Sequence, residues 1–183
     1  MDEPELNFQN IYDAFGPKIL RYVARLVGQA EAEDLTQEIF VKVSQGLGAF
    51  RGESQLSTWL YRIATNAAID KSRTVAFSQG AEEMELEEAD EAAAAPAWPA
   101  EERPSLEQLL MQKEMYECFE RFVKNLPENY RTIFVLSDLE GFSNSEIAEI
   151  LGLSLDVVKI RLHRGRTKLL QALKAYCKAE DWL

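Results

Sequence analysis

The sequence predicts an all-α protein of two small helical domains joined by a flexible acidic linker. Apolar residues at both ends recur every three or four positions, the spacing of amphipathic helices. The middle combines an acidic run, an alanine run and prolines, a composition that cannot bury a core. A short helix, a glycine turn and a longer basic helix follow near the end. We therefore predict domains at residues 1–75 and 105–183, with the linker at residues 76–104.

The charge distribution supports this division. The chain has 183 residues, 20 of them Lys or Arg and 31 Asp or Glu, for a formal net charge of −11. Residues 76–108 hold 10 of the acidic residues and one basic residue. This excess of acidic residues argues against a protein that coats nucleic acid nonspecifically, because such proteins are normally basic. It leaves DNA binding by either end possible, because local charge decides that property.

Several other classes of protein are disfavoured. The chain has only two cysteines, Cys118 and Cys177, too few for a fold held together by disulfides. Neither belongs to a CxxC motif, which is typical of redox-active cysteines. One histidine without CxxC spacing predicts no metal site, and no other cofactor is expected. The acidic start lacks the features of a signal peptide, and no apolar run approaches the roughly 18 residues of a membrane span. We expect a cytoplasmic protein without membrane insertion.

Three or four helices are predicted in the first domain. The first ends at Gly28 and the second at Gly46 and Gly48. The third runs from about Ser57 to Arg73, with Ser57 or Thr58 as its N-cap. Their apolar faces contain Ile11, Phe15, Ile19, Tyr22, Val23 and Leu26, then Leu35, Ile39, Val43 and Leu47, then Leu60, Ile63, Ala64 and Ala67. Such helices form a small bundle.

Two polar groups of this domain have alternative interpretations. Asp34, Gln37, Glu38 and Lys42 form either a helix start with an ion pair of about 0.2–0.5 kcal/mol, or a protein-docking face. The polar loop at residues 50–55 leads into aromatic, basic and amide side chains. These are the residue types that bind single-stranded DNA, by stacking on bases, donating to base edges and contacting phosphates. The alternative is that the aromatic residues are partly core and the charges simply solvated. This second group contains Trp59, Tyr61, Arg62, Asn66, Lys71 and Arg73.

The second domain ends in a predicted helix-turn-helix. An amphipathic helix over residues 105–125 and a helix from Pro127 to Gly141 precede it. Ser143 and Glu146 form a capping box, and the turn at residues 152–154 leads to a helix ending near residue 176. We expect Val158, Leu162, Gly165 and Leu169 to face inward, and Lys159, Ile160, His163, Arg164 and Thr167 outward. Residues 156–178 contain seven basic side chains and one acidic one, which suits a DNA-reading helix.

These segments resemble the sigma-70 family of transcription factors. DLTQEIFVKV, from Asp34, looks like region 2.2, and FRGESQLSTWLYRIATNAAIDKSR, from Phe50, looks like regions 2.3 and 2.4. The segment from Leu126 to Leu170 is similar to region 4. Two such modules without an intervening region 3 resemble the extracytoplasmic-function, or group 4, subfamily.

The resemblance implies a promoter-specificity subunit of RNA polymerase core that is no enzyme and has no catalytic residue. It also implies promoter DNA and an anti-sigma factor as partners, a stress or envelope response, and a monomer when free. Polymerase-binding residues would be Asp34, Gln37, Glu38, Ile39 and Phe40. The −10 element would meet Arg51, Gly52, Ser54, Trp59, Arg62, Asn66, Lys71 and Arg73. The −35 element would meet Lys159, Ile160, His163, Arg164, Arg166 and Lys168.

Two alternatives are weaker. A stand-alone helix-turn-helix regulator would explain the second domain but would leave the cluster at residues 50–73 without a task. An enzyme would need a nucleophile motif or a glycine-rich phosphate loop, and the sequence shows neither.

Overall fold

The computed structural model describes residues 7–78 and 118–176, and within those ranges every regular element is helical. This confirms the predicted all-α class. Most of the predicted linker, the start of the helix predicted from residue 105, and Cys177 lie outside the described residues. The helices are α1 Phe8–Val27, α2 Gln29–Gly46, α3 Leu56–Ser78, α4 at residues 118–124, α5 Glu128–Phe134, α6 Asn144–Leu151 and α7 Leu155–Tyr176, with a 3-10 turn at Leu47–Ala49.

Helices α1 to α3 form the predicted bundle, here called domain 1 (residues 7–78). The Asn7 side chain caps α1 by accepting a hydrogen bond from the Gln9 backbone N–H at 2.9 Å. Gly28, at φ 92°, ends α1 in a conformation that few other residues adopt. The inward faces of α1 and α2 are those that the spacing predicts, and both helices pack on α3.

Helix α3 begins earlier than the sequence suggests. The Trp59 backbone N–H donates to the Gln55 carbonyl at 3.0 Å, so Ser57 and Thr58 lie inside the first turn. The predicted N-cap at Ser57 or Thr58 is therefore wrong. Thr58 is buried, and burial in the bundle rather than capping accounts for its position.

The chain from α5 to α6 contains a wider turn. The segment Val135–Leu139 has π geometry, in which the Glu140 backbone N–H donates to the Val135 carbonyl five residues back, at 3.0 Å. Gly141 follows at φ 78°. This π turn and the loop after it direct several polar side chains that the sequence alone did not single out.

The helix-turn-helix has the predicted form. Ser143 and Glu146 make a reciprocal capping box at the start of α6. Gly152, at φ 64°, ends α6, and the Ser154 hydroxyl accepts from the Val157 N–H at 3.3 Å to start α7. Val158, Leu162, Gly165 and Leu169 are all buried. Helices α4 to α7 are here called domain 2 (residues 118–176).

The two domains lie in contact. Helix α3 packs on α6, α1 approaches α5, and the buried apolar side chains of both domains form one continuous cluster. No helix in the described ranges is both long and apolar enough to cross a bilayer.

Candidate nucleic-acid interface

One face of α2 is polar and exposed. Asp34, Gln37 and Glu38 lie on it. Ile39 and Phe40 do not, because both are buried in the core, at 0% and 3% exposure. The structure therefore places Ile39 and Phe40 beneath the predicted polymerase-binding face rather than on it. Val41, 54% exposed, takes their place on the surface.

Spacing along α2 could have distinguished these positions. Residues at i, i+3, i+4 and i+7 share a helical face, which groups Val41 with Asp34, Gln37 and Glu38. Phe40 has a structural role instead. Its ring meets Tyr12 edge-on, with 4.8 Å between ring centroids, and so joins α2 to the start of α1.

Lys71 belongs to this acidic neighbourhood rather than to the loop before α3. Its ammonium lies 2.6 Å from a Glu31 carboxylate oxygen. That hydrogen bond and the Glu31 charge, with smaller contributions from Glu38 and Asp34, raise the pKa of Lys71. Electrostatically, Lys71 is therefore linked to the α2 face, although the sequence groups it with the −10 residues.

The loop before α3 presents a small aromatic platform. Arg51 and Gly52 are exposed, and Gly52 has a positive φ of 70°. Trp59 is half-buried and packs on Phe50, with ring centroids 5.0 Å apart. It also lies against Gly46, where an added Cβ would approach the indole to 3.1 Å. Trp59 is thus partly core and partly available for stacking.

The remaining residues of this group lie in the loop before α3 and on its outer side. Ser54, in the loop, is half-buried, and Asn66 and Arg73, on α3, are exposed. Arg62 differs, because its guanidinium pairs with Glu149 of α6 at 2.9 Å. The buried Arg62 Nε has no hydrogen-bond acceptor among the described residues.

Helix α7 presents an outward face of mixed chemistry. Lys159, Ile160 and His163 are exposed, and Arg164 is half-buried beside them. The opposite side of α7 approaches α5 closely at Gly165, where an added Cβ would lie 3.3 Å from the Tyr130 Cβ. The glycine thereby lets α7 pack tightly while its outer face stays open.

Arg166 and Lys168 are engaged within domain 2. The Arg166 guanidinium binds both carboxylate oxygens of Asp138, with contacts of 2.9 to 3.2 Å. The Lys168 ammonium lies over the Tyr130 ring at 5.9 Å from its centroid. The structure therefore separates these two cations from the outward group, although the sequence predicted all of them on one DNA surface.

A polar cluster between the domains was not foreseen. Tyr61 donates its hydroxyl to Glu140 at 2.6 Å, and the Arg25 guanidinium contacts Glu140 at 3.2 Å and Glu120 at 3.1 Å. Burial, followed by the Glu140 hydrogen bond and charge, strongly raises the pKa of Tyr61 and keeps it a donor. No cluster of three or more metal-ligating side chains occurs within the part of the chain that the structure describes.

Comparison with known proteins finds two family matches in different parts of the chain. The family described as "Sigma-70 region 2" matches residues 11–76, and "Sigma-70, region 4" matches residues 116–169. "RNA polymerase sigma factor SigZ" of Bacillus subtilis is 32% identical over 96% of this chain and 92% of its own length. "ECF RNA polymerase sigma factor SigW" of the same organism is 33% identical over 91% and 89%.

A solved structure shows the same fold. The sigma factor RpoE of Bartonella quintana, crystallised with the anti-sigma factor NepR, superposes with a TM-score of 0.66 at 23% identity, covering 92% of this chain and 98% of that one. With the two family matches and the curated relatives, these findings show that the chain belongs to the extracytoplasmic-function sigma factors of the sigma-70 family.

Proposed function

We propose that this chain directs RNA polymerase core to promoters by dividing the work among three surfaces. The α2 face binds core, the loop and outer side of α3 engage the −10 element, and the outward face of α7 reads the −35 element. The observation that carries the proposal is the pairing of an exposed acidic α2 face with an exposed basic α7 face in one chain. A stand-alone regulator would need only the second.

The core-binding surface consists of Asp34, Gln37, Glu38 and Val41. An exposed apolar side chain beside carboxylates provides both contact area and charge complementarity for a basic partner. Ile39 and Phe40 support this surface from beneath, by fixing α2 on the bundle.

The −10 surface combines stacking with phosphate contacts. Trp59 on Phe50 offers a ring face for an unstacked base, while Arg51 in the loop and Asn66 and Arg73 further along α3 supply donors for the neighbouring DNA. The protein contributes binding and orientation, and the chemistry of RNA synthesis belongs to the polymerase.

The −35 surface reads the major groove. Lys159 and Arg164 can donate to guanine edges, and Ile160 can contact a thymine methyl group. Arg166 and Lys168 lie to the sides of this face, where each could exchange its internal partner for a phosphate.

The relatives and the solved structure support further assignments. The Bartonella sigma factor was crystallised with an anti-sigma factor, and we propose that an anti-sigma factor likewise holds this chain in a 1:1 complex that excludes core. We also propose that the chain acts in the cytoplasm, is monomeric when free, and serves a stress or envelope response.

Run-off transcription tests the function. Core polymerase plus this chain should initiate at specific promoters in a genomic library, whereas core alone or the chain alone should not. Because the chain carries a formal net charge of −11, we expect weak binding to bare promoter DNA. Tight, sequence-specific binding to a promoter without core would favour the stand-alone regulator instead.

A further inference from the structure

A cleft with a basic lining lies between the second half of α1 and α4. Its volume is about 490 Å³, within the roughly 300–1,000 Å³ of small-molecule sites. The residues that line it belong to none of the three surfaces assigned above to core, the −10 element and the −35 element. Its lining includes one carboxylate, Glu120, and four cationic side chains, Arg21, Arg25, Arg121 and Lys124.

Positive charge in this cleft is only partly compensated. The Arg25 guanidinium, 17% exposed, is matched by Glu120 at 3.1 Å and by Glu140 at 3.2 Å. The other three cations are exposed, and none of them makes an ion pair within the described part of the chain. A cleft focuses the field of the charges that line it. This one is therefore a local site of attraction for anions in a chain of net charge −11.

The uncompensated cations lie on both walls of the cleft. Arg21 belongs to α1, whereas Arg121 and Lys124 are three positions apart on α4 and share one helical face. Guanidinium groups bind phosphate oxygens through paired hydrogen bonds, and an ammonium adds a point charge. A single phosphate can meet the cations of one wall, whereas two linked phosphates can meet those of both.

The rest of the lining is suited to an organic group. Leu20 and Ala24 are half-buried and give the α1 wall an apolar surface, and Gln29 adds an amide at the start of α2. Ligand sites combine such apolar surface with a few convergent polar groups. The cleft can therefore hold a nucleobase beside its phosphate-binding cations.

We propose that the cleft between α1 and α4 is a binding site for a diphosphate group, carried by inorganic pyrophosphate or by a nucleoside diphosphate. One phosphate contacts Arg21, and the other contacts Arg121 and Lys124. Glu120 limits the affinity, because it neutralises Arg25 and repels the anion. Occupancy of this site needs neither DNA nor polymerase, so the inference does not rest on the proposed function.

Isothermal titration calorimetry of the full chain with pyrophosphate, at constant ionic strength, tests the site. Arg21→Gln with Arg121→Gln should weaken pyrophosphate binding by about tenfold, because charge-assisted contacts are lost on both walls. Lys18→Gln with Lys42→Gln is the matched control, since it removes the same charge at exposed positions outside the cleft. Equal losses in the two double variants, or no binding by the unmodified chain, would overturn the proposal.

A variant with the opposite expected effect excludes loss of fold as the explanation. Glu120→Gln removes the carboxylate from the cleft and releases Arg25, so it should tighten pyrophosphate binding by about fivefold. Sulfate should bind more weakly than pyrophosphate, because it can meet only one wall. Unchanged or weaker binding by Glu120→Gln, or sulfate binding as tight as that of pyrophosphate, would contradict a diphosphate site.

Titration with ADP then distinguishes the two sources of the diphosphate group. Tighter binding of ADP than of pyrophosphate would assign the site to a nucleoside diphosphate, with the base on the apolar wall of Leu20 and Ala24. Equal or weaker binding of ADP would assign it to inorganic pyrophosphate. Both results support the site, provided that Arg21→Gln with Arg121→Gln weakens the binding of each ligand.

Discussion

Side chains on α7 fall into two groups with different expected tasks. Lys159, Ile160 and His163 are exposed and face away from the core. Arg166 and Lys168 already have partners inside domain 2, in Asp138 and Tyr130. The first group is free to read base edges, whereas the second must exchange one interaction for another on DNA. Sequence preference should therefore reside in the first group.

Two lysines on the same helix separate base reading from phosphate attraction. Lys159→Ala should change the preferred −35 sequence, at about 1–3 kcal/mol for a lost base contact. Lys174→Ala, near the end of α7, should weaken binding to all promoters alike. It should also reduce the salt dependence of binding by the equivalent of about one phosphate contact. Run-off transcription on a randomised −35 library at two salt concentrations measures both. The assignment is reversed if Lys174→Ala alters the base preference and Lys159→Ala does not.

Trp59 should act after the initial encounter with DNA. A lost aromatic platform removes about 1–3 kcal/mol of base stacking, so Trp59→Ala should impair open-complex formation more than closed binding. Arg51→Ala should do the same without touching the core. Permanganate reactivity at the −10 element measures melting. Because Trp59 packs on Phe50, a thermal melt of each variant must accompany the assay. Normal reactivity in both folded variants would refute the assignment.

The acidic face of α2 can be tested as a unit. Asp34→Arg with Glu38→Arg reverses its charge and should weaken core binding by tenfold or more, with helicity unchanged because both side chains are exposed. Asp13→Arg with Asp70→Arg changes net charge equally at exposed positions elsewhere in domain 1. Titration of labelled core compares the two. Equal losses would show that net charge, rather than this face, governs binding.

The capping box of α6 gives a pH-dependent contribution to stability. Hydrogen bonds from the Ser143 hydroxyl and backbone lower the pKa of Glu146 below its ordinary value of 4.5. A lowered carboxylate pKa stabilises the fold above the ordinary value, and this contribution is lost as pH falls through the lowered one. Glu146→Gln should therefore flatten the stability profile below about pH 4.5. Urea melts across that range test it, and identical profiles would contradict the capping contribution.

The shared core of the two domains predicts their unfolding behaviour. Because buried side chains form one cluster across both, thermal unfolding of the free chain should be a single cooperative transition. Glu140→Lys should divide it into two, one for each domain. Scanning calorimetry distinguishes the cases. Two transitions in the unmodified chain would indicate domains that unfold independently.

Local patterns made much of this architecture predictable. Amphipathic spacing located α1, α2 and α7, and the S-x-x-E pattern located the start of α6, because these signals depend on near neighbours. The resemblance assigns Ile39 and Phe40 to polymerase binding, whereas helical spacing already places Ile39 on the buried apolar face of α2, and both side chains lie in the core. The contacts of Glu140 could not be foreseen, since Tyr61 and Arg25 meet it across 79 and 115 positions of sequence.

The π turn at Val135–Leu139 fixes how domain 2 divides its charges. It accommodates one residue more than a regular α-helical turn, and a residue advances an α-helix by about 100°. With that extra residue, Asp138 points to Arg166 on α7 while Glu140 points to Arg25 on domain 1. Deleting a single residue here would rotate both carboxylates away from their arginines together. The length of this turn, rather than any one side chain, therefore determines both the ion pair that Asp138 makes with α7 and the contact that Glu140 makes with domain 1.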